Sequence, residues 1–72
     1  MKQHKSILKK LARQIIKYRK ERELTQEELS AKTGISRSSI AMIETAQRDL
    51  TISKLSKISK ALNITLSELL DF

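Results

Sequence analysis

Apolar side chains recur along this chain at three- and four-residue spacing, with polar residues between them. That is the period of an amphipathic α-helix, not of a strand. Ile7, Leu8, Leu11, Ile15, Ile16 and Tyr18 form one such series and predict a helix from about Ser6 to Arg22. Ile52, Leu55, Ile58 and Leu62 form another, ended by Asn63, a residue that tolerates the left-handed conformation in which helices close. Two shorter helices are expected between these series and one after them. Proline is absent and glycine occurs once, so Gly34 is the main punctuation mark. The expected fold class is all-α: five helices joined by short connections, with low contact order.

Helix starts are written in hydroxyl residues. Thr25 stands three residues before Glu28, and Leu24 five before Leu29, which is a capping box with a hydrophobic staple. Gly34 is placed to close that helix in the left-handed region, and the chain restarts with Ser36 as N-cap and Ile35 stapling Ile40. Only a three- or four-residue turn fits between the two helices, as a helix-turn-helix requires. Thr51 caps the next helix, with Leu50 on Leu55; Thr65 and Glu68 form a second capping box, with Ile64 on Leu69.

On the second helix of this unit Ile40 and Ile43 mark the inner side. At about 100° per residue Ser38 and Met42 point away from it, flanked by Ala41 and Thr45. Glu44 comes toward the inner side. Arg19 falls on the apolar stripe of the first helix, where an unpaired guanidinium is costly to desolvate, so it needs a partner.

These residues together resemble the Cro/CI repressor type of helix-turn-helix domain, the XRE-like family. The likeness runs over nearly the whole chain: Arg19, Gln26 opening the first motif helix, Gly34 at the turn, Ile40, Ile43 and Glu44 on the second, and the run from Leu55 to Leu70. It implies a lambda-repressor-like five-helix domain that binds double-stranded DNA, with an ion pair joining Arg19 and Glu44. It also implies base reading by Arg37, Ser38 and Met42. Arginine can donate two bonds to guanine, serine serves either base type, and methionine packs on thymine methyls. The plainer alternatives are a phosphate contact for Arg37 and helix packing for Met42. Gln26 and Ser36, at helix starts, match positions that hold the DNA backbone; simple capping is the alternative. Thr45, Gln47 and Arg48 extend the backbone-facing surface. Three residues depart from the family pattern. Ser30 and Thr33 put hydroxyls where apolar atoms are usual, and these are expected to bond back to the preceding turn. Ala46 replaces a common glycine, which suggests a different route for the loop after the recognition helix.

Composition narrows the reading further. Seventy-two residues are expected to form a single domain, and the net charge of +7 is uneven: nine basic side chains and one acidic lie in residues 1–22. Such a basic helix favours a polyanionic partner. Without cysteine there is no disulfide framework or thiolate metal site. No apolar run reaches membrane-spanning length, and lysines interrupt the first sixteen residues too often for a signal peptide, so a cytoplasmic protein is expected. The one histidine, His4, falls in a segment expected to fray, and Glu21, Glu23, Glu27 and Glu28 read as surface and cap residues. No enzyme, cofactor, metal or small-molecule substrate is therefore indicated.

The short chain and the segment Arg48 to Ile52 resemble the controller proteins of restriction-modification systems, although controllers commonly carry Arg-Thr-Tyr where this chain has Arg37-Ser38-Ser39. That likeness implies a homodimeric regulator on a palindromic operator. Leu66, Leu70 and the terminal Phe72 are the expected self-complementary patch. Small phage repressors, antitoxins and a protein-interaction module that has lost DNA binding remain open. A membrane-surface role for the basic amphipathic first helix competes with folding, which needs the same apolar stripe.

Overall fold

Four hydroxyl side chains open four of the helices in the computed structural model, which describes the backbone of residues 2–72 and side chains from residue 5 onward. The helices are α1 (Lys2–Glu21), α2 (Gln26–Thr33), α3 (Arg37–Glu44), α4 (Ile52–Ala61) and α5 (Leu66–Leu69). Thr25, Ser36, Thr51 and Thr65 are the N-caps of α2 to α5, each accepting from the amide three residues on, and both capping boxes are complete. The Thr65 amide and hydroxyl that bind Glu68, with Arg22 nearby, hold its carboxyl below the usual carboxylate range. The first helix starts earlier than its apolar stripe, because Lys2 to Lys5 contain no helix breaker. His4 therefore has helical backbone, and its side chain lies outside the described residues.

All five helices enclose one core, made of Leu11, Ile15, Leu29, Ile35, Ile40, Ile43, Leu55, Ile58, Leu62 and Leu69. Two members of the expected stripes stand exposed outside it: Ile7 is 53% and Ile52 68% exposed. Counting about 100° per residue explains both. Ile52 stands nearly a right angle away from the centre of the Leu55–Ile58–Leu62 stripe, and Ile7 lies at the edge of its own, one turn before the packed stretch of α1. Periodicity extended these stripes past the point where a neighbouring helix covers them.

The corners between helices depend on left-handed residues at four places, and only one is glycine: Glu23 (φ 56°), Gly34 (77°), Ala46 (59°) and Asn63 (58°). At the three others the chain closes with a Schellman pair of bonds. The Glu23 and Leu24 amides donate to Lys20 and Arg19 carbonyls, those of Ala46 and Gln47 to Ile43 and Met42, and those of Asn63 and Ile64 to Lys60 and Ser59. Ala46 therefore adopts the conformation that glycine favours, and the loop needs no different route. Its methyl is buried. At Gly34 a single bond, amide to Ser30 carbonyl at 2.9 Å, closes α2. The two hydroxyl departures complete this turn. Thr33 Oγ1 donates back to Leu29 and accepts the Ile35 amide, as expected of a hydroxyl that bonds the preceding turn. Ser30 does otherwise: it reaches forward to the Ile35 carbonyl, across the turn.

Gln14 of α1 and Arg22, the residue that follows α1, bind the ends of the last helices. Arg22 Nε donates to the Leu62 carbonyl at 2.8 Å, and Gln14 Nε2 lies 3.2–3.4 Å from the carbonyls of Glu68, Leu69 and Asp71. Carbonyls left over at helix ends are thereby satisfied by a distant helix.

A Cβ built on Gly34 meets nothing within 4 Å, so this glycine serves backbone conformation and not close approach. Gly34→Ala should cost about 1–2 kcal/mol of left-handed strain, while Glu23→Gly should gain about 0.5–1 kcal/mol, the same strain relieved less the added freedom of the unfolded chain. Thermal unfolding reads both. At about 4–8 °C per kcal/mol for a domain this size the opposite shifts are resolvable. A Gly34→Ala protein as stable as the parent would remove the argument.

Candidate nucleic-acid interface

The helix α3 is positioned by one buried carboxylate. Glu44, the last residue of α3, is 8% exposed. Arg19 of α1 approaches it with both faces of its fork: Nε donates to Oε2 at 2.7 Å and Nη2 to Oε1 at 3.0 Å. The remaining Arg19 nitrogen, Nη1, donates to the Leu24 carbonyl at 2.8 Å. Gln26, the first residue of α2, adds a third bond to Glu44, Nε2 to Oε1 at 3.0 Å. The Arg19 and Glu44 side chains are 12% and 4% exposed, so the pair sits largely out of water. Three helices and the α1–α2 corner thus meet at one charge. Charge-assisted two-point contacts of this kind impose geometry as well as attraction.

With its inner face held by Ile40, Ile43 and Glu44, α3 turns the opposite side outward. Arg37 and Ser38 are exposed there, and no hydrogen bond or ion pair ties the Arg37 guanidinium to another described residue. Ser36 Oγ accepts the Ser39 amide at 3.1 Å and donates to Ser39 Oγ at 3.0 Å. Arg48, from the loop after α3, folds back over this face: Nη1 lies 3.0 Å from Ser39 Oγ and Nη2 3.4 Å from Met42 Sδ. Met42 is half-buried beneath it, so its thioether is neither in the core nor fully open. The Thr45 hydroxyl donates back to the Ala41 and Met42 carbonyls at the end of α3, and the Gln47 side chain is exposed.

The structure thus gathers Ser36, Arg37, Ser38, Met42 and Arg48 on or beside one outward face, with Thr45 and Gln47 at its lower end. Gln26 opens α2, and its amide nitrogen donates to Glu44 at the end of α3. Sequence reasoning missed Ser39, which joins Ser36 to Arg48, and the Gln26–Glu44 bond. A polar residue three positions after an N-cap could have flagged Ser39; the Gln26 bond crosses 18 residues and leaves no local signal.

Other chemistry has little foothold. Among the described residues no group of three His, Cys, Asp or Glu side chains could hold a metal ion, and no helix is long and apolar enough to cross a membrane. The open groove between α2 and α4 is rimmed by Lys32, Lys57 and Lys60 and holds none of the outward residues of α3.

Short capped helices around a tight turn, with the second helix presenting an exposed arginine and serine, define a helix-turn-helix module of the DNA-reading kind. The chain belongs to the helix-turn-helix family HTH_3, which matches residues 15–69. It is 37% identical over 60 residues to the control protein C.SmaI of Serratia marcescens, covering 83% of this chain and 71% of that one. The restriction-modification controller protein C.AhdI of Aeromonas hydrophila superposes with a TM-score of 0.84 at 31% identity, over 86% of this chain and 94% of its own. An HTH_3 family transcriptional regulator from Vibrio cholerae gives a TM-score of 0.87 at 27% identity, over 92% of this chain but only 37% of that longer one. The protein is a DNA-binding transcriptional regulator of this family, which is not a family of enzymes.

Removing one partner of a buried pair leaves the other charged and unsolvated. Glu44→Ala should therefore destabilise the fold by about 3–5 kcal/mol, and Arg19→Met with Glu44→Leu should recover much of the loss. Chemical denaturation of the parent, single and double variants measures the difference. A Glu44→Ala protein of parental stability would mean that Arg19 reaches solvent once its partner is gone.

Proposed function

We propose that the protein is a sequence-specific regulator of the restriction-modification controller kind, binding a palindromic operator as a homodimer in the cytoplasm. The observation that carries this reading is the outward face of α3. A guanidinium without a partner among the described residues stands at the start of a short helix, beside an exposed serine. Arg37 reads guanine, Ser38 an adjoining base and Met42 a thymine methyl, which are the groups that distinguish base pairs in the major groove. Ser36, Thr45, Gln47 and Arg48 take phosphates around them. Gln26 reaches the backbone through its second amide proton and the α2 N-terminus while it remains bonded to Glu44.

The likeness to two controller proteins supports the controller assignment, and the small size of the module supports pairing. One short recognition helix gains specificity by doubling its site, with half-site centres about one helical turn, roughly 34 Å, apart. Selection of bound duplexes from a random library, followed by footprinting, should recover such a two-fold site. Protection of a single unsymmetrical half-site by a monomer would sink the proposal. On the recovered operator, Arg37→Ala should relax preference at one base pair by about 1–3 kcal/mol, whereas Arg48→Ala should weaken all sequences alike. Uniform loss with Arg37→Ala, together with a salt slope lowered by about one unit, would make Arg37 a phosphate contact instead.

For the dimer contact, Leu70 is 40% and Phe72 51% exposed, while Leu66 is partly buried against the protein's own core. The exposed pair is the better probe of a two-fold patch. Leu70→Glu with deletion of Phe72 should give a folded monomer with much weaker operator binding. Sedimentation showing an undiminished dimer would move the interface elsewhere.

A further inference from the structure

The basic charge of this protein is concentrated away from the recognition helix. Counting about 100° per residue around α1, Lys9, Lys10, Arg13, Lys17 and Lys20 fall within an arc of about 100° centred opposite the buried Ile15. All five are exposed, and no hydrogen bond or ion pair joins them to another described residue; Lys17 alone leans on a ring, 5.1 Å from the centre of Tyr18. Glu21 borders the row and is itself paired with Arg22 at 3.9 Å.

The row lies on a different face from the outward residues of α3. The apolar face of α1 packs toward α3 and α5, and the inner face of α3 packs toward α1 and α2. Each exposed face is the reverse of a packed one, so the cations of α1 and the Arg37 face of α3 look outward on different faces of the domain. A duplex seated on α3 leaves the α1 row uncovered.

We propose that this row is a second, sequence-neutral DNA-binding face, which lets a molecule seated on one duplex through α3 hold another through α1. The chemistry of the row selects this occupant. From Lys9 to Lys20 α1 rises about 17 Å, so the five charges stand about 4 Å apart on average along its axis, close to the roughly 3.4 Å of duplex axis per phosphate of one strand. The arc carries no apolar or aromatic side chain that could anchor a protein partner at the centre of an interface. A second copy of this chain would bring like charges together. Membrane insertion needs the apolar stripe, which the core already holds.

The inference rests on α3 binding DNA, and the test separates the two. The duplex recovered from the random library is fixed on beads, loaded with the full chain, and offered a labelled 40-base-pair duplex without the site. Parent protein should capture the labelled duplex. Lys9→Gln, Lys10→Gln, Arg13→Gln and Lys17→Gln combined should lose that capture at least tenfold while keeping its own place on the fixed operator and its helical content. Lysine-to-arginine changes at positions 9, 10 and 17 should preserve capture. For the second duplex, the four neutralisations should lower the salt slope by about 3 to 4 units. Full capture by the neutralised protein, or none by the parent, overturns the proposal. So does displacement of the second duplex by polyglutamate or phosphatidylserine vesicles at charge concentrations where unlabelled duplex is ineffective. If the protein fails to stay on the fixed duplex and Arg37→Ala changes nothing, it is the α3 reading that has failed.

Discussion

The orientation of the recognition helix depends on a carboxylate that the fold takes out of water. Glu44 ends α3, and burying it requires cationic and amide donors at fixed places. Arg19 on α1 supplies two bonds, Gln26 at the start of α2 a third, and the spare nitrogen of Arg19 binds the carbonyl of Leu24 in the corner between them. Such a pair contributes little net stability against an apolar replacement, because desolvation offsets the attraction. Its effect is geometric: α3 cannot rotate or slide without separating bonded charges in a low-dielectric site. The outward angle of Arg37 and Ser38 is therefore set at the far end of their own helix.

The four left-handed corners follow from the same need for fixed geometry in a small domain. Three lack glycine, so the chain accepts backbone strain at Glu23, Ala46 and Asn63 to keep connections short. Ala46 is the telling case. Its Schellman bonds end α3 one residue beyond Thr45, and the loop then brings Arg48 back to Ser39 and Met42. A residue eleven positions after Arg37 thereby joins the face that Arg37 begins.

Most of the fold was legible because its signals are local. A threonine or serine three residues before the amide it caps, and an apolar pair five apart, need no knowledge of tertiary structure, and Thr25, Ser36, Thr51 and Thr65 all act as read. The helix-turn-helix resemblance then supplied the Arg19–Glu44 pair. What remained hidden lies between elements distant in sequence: Gln14 on the end of α5, Arg22 on the end of α4, Gln26 on Glu44. Ile7 and Ile52 were misjudged for the complementary reason. Periodicity reports which side of a helix is apolar but not how far a neighbour extends along it. The loop after α3 departs from expectation because Ala46, where the family commonly has glycine, adopts the left-handed turn that glycine favours without being required for it.

Charge is unevenly distributed along the chain. Residues 1–22 carry nine basic side chains and one acidic, whereas the remaining fifty carry six and seven. The recognition surface therefore belongs to a nearly neutral part of the chain, with Arg37 and Arg48 as its only guanidinium groups. A face with few charges discriminates well, because its selectivity rests on donor and acceptor geometry and not on attraction to every phosphate. It also attracts DNA weakly from a distance. The strongest positive charge density belongs instead to α1, and a field of that kind is not tied to any base. The bonds that orient α3 lie apart from this charge, and salt reaches them poorly because Arg19 and Glu44 are largely buried.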